Sequence, residues 1–158
     1  MKRTLFIGLT LAIASTAPLG AQATRGSVSK NGQSYEVRIA KPKAEVFGAA
    51  LGVLTDYQFD VTQSSQDGGI IKTDWRDPKQ VDQERNLVKF LFASGDPVRL
   101  NIVFVPIGTD STRVVVRGDQ RLPQINSVMK LDSDTGKEWT LLTHVADAIA
   151  IAADSTPK

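Results

Sequence analysis

Cysteine is absent from this 158-residue chain, and histidine occurs once, as His144. Those two shortages remove several chemistries at the outset. Without cysteine there is no Cys-His nucleophile, no disulfide staple and no thiolate for zinc. A Ser-His-Asp arrangement would have to use His144, which lies beside an apolar helical stripe rather than on a strand-end loop. Long hydrophobic runs are also missing after residue 23. No later segment approaches the ~20 apolar residues of a spanning helix, so no integral membrane segment is expected there.

What is present begins at the N-terminus. Lys2 and Arg3, the apolar run from Leu5 to Leu19 and the ending Ala21-Gln22-Ala23 read as a secretory signal peptide over residues 1–23, cleaved after Ala23. Thr10, Ser15, Thr16 and Pro18 interrupt the run, which argues against a retained anchor. The missing cysteine argues against lipid attachment at the cleavage site. The mature product is therefore expected in the periplasm or outside the cell. Removing Lys2 and Arg3 leaves 17 basic residues against 17 acidic ones. A neutral mature chain lacks the uncompensated Lys and Arg of a nucleic-acid binder, and none is expected as a partner. The 135 remaining residues suit one domain whose stability comes from packing alone.

Residues 24–33, small and polar with an Asn31-Gly32 turn signal, read as a flexible leader, and 34–153 as the domain. Ser34 to Ile39 alternates as a half-buried strand. Pro42 then opens a helix whose residues Phe47, Ala50, Leu51 and Leu54 form one stripe. Extended runs at Phe59–Ser64 and Ile70–Trp75 flank the hairpin signal Asp67-Gly68-Gly69. Asn86–Phe92, Val98–Val105 and Arg113–Arg117 complete a meander. Residues 120–134 are mixed, with a helical turn around Ile125–Met129. Thr135 and Glu138 fit a capping box for a last helix carrying Leu142, Val145, Ala146 and Ile149, and 154–158 reads as a disordered tail. The order β-α-β-β-β-β-β-α predicts an α+β domain: one antiparallel sheet of five to six strands with both helices on one face. Its inward residues would be Tyr35, Val37, Ile39, Phe59, Val61, Trp75, Val88, Phe90, Phe92, Leu100, Ile102, Phe104, Val114 and Val116.

No constellation commits the chain to catalysis, and no cofactor or metal site is expected. Asp132-Ser133-Asp134-Thr135-Gly136 has alternate carboxylates but not the spacing of an EF-hand; these residues suit the approach to a helix N-terminus. Gly48 and Gly52 lower helix propensity by ~1 kcal/mol each, which points to close packing against the sheet or the other helix. Trp139, in the first turn of the last helix, would line a groove beside residues 120–134. The strongest partner signal is the face of the meander away from the helices. There Lys89, Leu91, Arg99, Val103, Arg113, Val115 and Arg117 mix cations with aliphatics, where a purely solvated face would be uniformly polar.

The stretch from Ile39 to Trp75, with Val46-Phe47 in its helix and Asp67-Gly68-Gly69-Ile70-Ile71 in its hairpin, resembles helix-grip domains of bacterial envelope proteins. The C-subunit of the β-barrel assembly machinery carries domains of this kind. The resemblance covers about two-thirds of the mature chain in pattern and implies a helix-grip-like fold that binds or scaffolds. The expectation is an exported, non-catalytic module engaging another envelope protein. The alternative is a carrier holding a small apolar molecule or lipid between the last helix and the sheet, lined by Phe90, Phe104 and Ile149.

Overall fold

Alternation of apolar and polar residues builds most of the sheet. The computed structural model describes residues 24–28, 32–76, 96–131 and 137–155. The signal segment 1–23 lies outside them, as do the strand expected at Asn86–Phe92, Asp132–Gly136 and the capping box. Seven strands and two α-helices are described: β1 (Thr24–Val28), β2 (Tyr35–Ile39), α1 (Lys43–Asp56), β3 (Val61–Ser65), β4 (Ile70–Thr73), β5 (Val98–Pro106), β6 (Thr112–Leu122), β7 (Ser127–Lys130) and α2 (Lys137–Ser155).

All pairings are antiparallel, in the spatial order β1-β2-β6-β5-β4-β3. Strand β7 lies along the same edge of β6 as β2, pairing with residues 119–122 where β2 pairs with 112–116. The domain is α+β, with one antiparallel sheet and two helices on one face. Helix α1 packs against α2 and β5, and α2 against β2 and β6.

Helix α1 ends through backbone chemistry. Gln58 adopts φ +56°, its N–H bonds to the Thr55 carbonyl, and the Phe59 N–H reaches back to Leu54 at 2.8 Å. These are the two bonds of a Schellman motif, closed by the buried pair Leu54 and Phe59. A left-handed glutamine is unfavourable. Arg76 holds it in place by donating to the Gln58 carbonyl and to its Oε1. Burial pushes the Arg76 guanidinium below its ordinary value, partly offset by the Asp60 carboxylate.

The core is continuous. Phe47 meets Phe104 with ring centroids 5.2 Å apart, and Leu142, Val145, Ala146 and Ile149 of α2 are fully buried over Val114 and Val116. Gly118 permits a close approach. A Cβ there would stand 2.6 Å from Leu131 Cδ1 and 2.9 Å from Leu142 Cδ2. Gly69, at φ +62°, lets the β3–β4 turn press on β5, where a Cβ would meet the Phe104 carbonyl oxygen at 2.5 Å.

Several expectations are corrected. The supposed leader contains β1, because Thr24–Val28 gains backbone partners along β2 whatever its side chains. Beyond it, β6 runs on to Leu122. The helical turn falls at Pro123–Ile125, two residues early, and Ser127–Lys130 is strand because it pairs with β6. Helix α2 continues to Ser155, past the start of the expected tail. In α1 the buried set is Val46, Phe47, Ala50, Val53 and Leu54, while Leu51 is only half-buried. Gly48 and Gly52 face open space rather than a neighbour. Val61, at the start of the edge strand β3, is 38% exposed instead of inward.

Trp75 is also not in the core, and the reason is a change of phase. Lys72 pairs with Asn101, but the next bridge joins Arg76 to Val98. The β4 side thus spends four residues where β5 spends three, a bulge. Thr73 fills the gap: its Oγ1 accepts the Leu100 N–H at 2.9 Å and donates to the Asp74 carbonyl at 3.0 Å. The Asp74 carboxylate accepts the Trp75 N–H at 2.7 Å. Trp75 consequently joins the outer side, beside Arg99.

Candidate functional site

The outer face of the sheet, away from the helices, is ordered in rows set by strand register. Arg38, Arg113 and Val105 stand opposite one another on β2, β6 and β5. The next row is Glu36, Val115, Val103 and Ile70. Then come Arg117, Asn101 and Lys72, followed by Lys130, Asp119 and Arg99. Arg121 and Val128 close the set. Consecutive rows are about 6.8 Å apart, two residues along a strand.

Charge on this face is lopsided. Among the described residues, Arg38, Arg113, Arg117, Lys72, Lys130, Arg99 and Arg121 oppose only Glu36 and Asp119. Arg38 directly faces Arg113, a destabilising like-charge pair. Glu36 relieves it diagonally, its Oε2 lying 3.7 Å from Arg113 Nη1. Arg99 Nε donates to Asp119 Oδ2 at 2.8 Å while its guanidinium lies 4.6 Å from the centre of the Trp75 ring. Arg121 approaches the same ring at 5.8 Å. Trp75 thus orders two cations by their attraction to its π-face.

Two clefts open on the face and share Asn101 and Asp119. One, of about 420 Å³, is lined by Gln33, Asn101, Arg117, Gly118, Asp119 and Lys130. The other, of about 190 Å³, involves Thr62, Lys72, Thr73, Arg99, Leu100, Asn101 and Asp119. Between them the Oδ1 of Asn101 is buried with no hydrogen-bond partner.

Of the seven residues expected on this face, the structure brings together Arg99, Val103, Arg113, Val115 and Arg117. Lys89 and Leu91 lie outside the described residues. Val115 is 6% exposed and forms the floor of the face, flanked by Glu36 and Val103 on the neighbouring strands. Trp139 falls in the first turn of α2, but its side chain lies outside the described residues. Sequence reading missed Glu36, Arg38, Lys72, Lys130, Arg121 and Trp75 as members of the face. The alternation that located Val37 and Ile39 already placed Glu36 and Arg38 on the opposite side. Trp75 needed knowledge of the bulge. Among the described residues, no three metal-ligating side chains of His, Asp or Glu cluster.

A scan against protein-family models finds no match to this chain, and a search of curated proteins finds none either. The functional reading therefore rests on the geometry.

Proposed function

We propose that the chain is exported and acts as a non-catalytic binding module of the bacterial envelope, engaging another envelope protein through the outer sheet face. One observation carries this reading. In a mature chain with 17 basic and 17 acidic residues, the rows of the outer face hold, among the described residues, seven cations and two carboxylates, both carboxylates already paired. Such segregation gives an acidic partner a steering field and a fixed register. The helix-grip resemblance, with binding rather than chemistry as its implied role, agrees with this reading.

The carrier alternative has less support. It needs space between α2 and the sheet, yet Ile149 and Leu142 are fully buried and a Cβ at position 118 of β6 would stand only 2.9 Å from Leu142 Cδ2.

Affinity capture of partners from envelope extract tests the proposal, comparing the mature chain with Arg99→Glu/Arg113→Glu. The expected result is a specific partner retained by the wild type and lost by the double variant at unchanged melting temperature. Equal retention by a folded double variant would remove the outer face from consideration.

A further inference from the structure

Arg99 and Arg113, the cations that stand out in the meander sequence, are the two already neutralised by Asp119 and Glu36. Lys72, Arg117 and Lys130 make no ion pair among the described residues. Lys72 and Arg117 stand on either side of Asn101 in one cross-strand row, with neighbouring backbones about 5 Å apart. Both clefts meet at Asn101, whose amide has a buried end without a partner. One row along the strands lie Val103, Val115 and Ile70, none of them prominent on the surface.

Resting on the binding face described above, we propose that this row takes the carboxylates of an extended acidic segment of the partner protein, with an aliphatic side chain of that segment on the Val103–Val115 row. Residues i and i+2 of an extended chain are about 6.8 Å apart, the same as the separation of the two rows. The matching ligand alternates acidic and aliphatic residues along one side. Asn101 lies between the two cations, its Oδ1 buried and without a hydrogen-bond partner among the described residues. A bilayer surface fits less well, because the apolar row is recessed and the exposed Val128 stands three rows away from it on the same face.

The test titrates the mature protein by NMR with a synthetic peptide of the repeat Glu-Ser-Val-Ser, which sets Glu and Val in turn along one side of an extended chain, with the same peptide carrying Ser for Glu, and with inorganic phosphate. Co-sedimentation with phosphatidylglycerol vesicles forms a further arm. The Glu peptide is expected to saturate at Lys72, Asn101 and Arg117, and to weaken with salt. Lys72→Gln/Arg117→Gln should lower its affinity about tenfold, while Lys41→Gln, whose ammonium pairs with Glu45 at 3.4 Å, should not. Absence of saturable binding, equal affinity for the Ser peptide, or equal affinity in the double variant would overturn the proposal. So would phosphate binding at the same residues with the peptide's affinity, or vesicle binding abolished by the same variant. If the acidic peptide fails while Arg99→Glu/Arg113→Glu still loses the captured partner, the face stands and the acidic-segment inference falls.

Discussion

Strand β5 presents two different surfaces from nine consecutive residues. On the helix side, Val98, Leu100, Ile102 and Phe104 are all buried. Opposite them, Arg99, Asn101, Val103 and Val105 alternate charge, amide and half-buried aliphatics. The inner face packs against two helices, and at Gly118 an added Cβ would crowd Leu131 and Leu142. The outer face has clefts, unpaired cations and an unmatched amide. Stability and recognition are thus assigned to opposite sides of the same backbone, and each side can be perturbed while the other is monitored.

The largest effect is expected deep on the inner face. Leu142→Ala should destabilise by about 3 kcal/mol, since the fully buried side chain leaves a cavity. Chemical denaturation should show Leu51→Ala, half-buried on α1, costing clearly less; equal costs would contradict the packing described. Gly118→Val comes next, at about 2 kcal/mol, because its side chain must displace Leu131 and Leu142. A wild-type melting temperature would mean that α2 sits farther from β6.

Thr73→Val probes the border between the faces. It keeps the shape but leaves the Leu100 N–H without its acceptor, for a loss of about 2 kcal/mol. Hydrogen exchange at that amide should accelerate more than at the Ile102 amide. The smallest effect belongs to the outer face. Arg99→Glu/Arg113→Glu should change stability by less than about 1 kcal/mol, because exposed pairs contribute little. A thermal melt showing a large drop would reveal that the Trp75, Arg99 and Asp119 cluster is structural rather than available for binding.

The same comparison explains what could be read from the sequence. Inner residues obey local periods: Leu142, Val145, Ala146 and Ile149 announce α2, and Leu100, Ile102 and Phe104 announce β5. Their burial follows from hydrophobicity and spacing alone. Outer residues depend on neighbours distant in the chain. That Arg99 is taken by Asp119, twenty residues on, requires the β5–β6 register. That Lys72 and Arg117 share a row requires two registers at once. Thr24–Val28 is strand through pairing with β2, although its composition is that of a leader. The expected direction of Trp75 failed because period-two counting assumes an unbroken ladder.

That break has a consequence for sequence change. In an ordinary strand, losing one residue reverses the facing of everything beyond it. Here the chain already carries one residue too many at Asp74, so its loss would set Trp75 opposite Arg99 and Arg76 opposite Val98 in an uninterrupted ladder. The outward tryptophan and the arginine that restrains Gln58 would both keep their sides. Position 74 is therefore a point where the chain can shorten without exchanging its interior for its exterior.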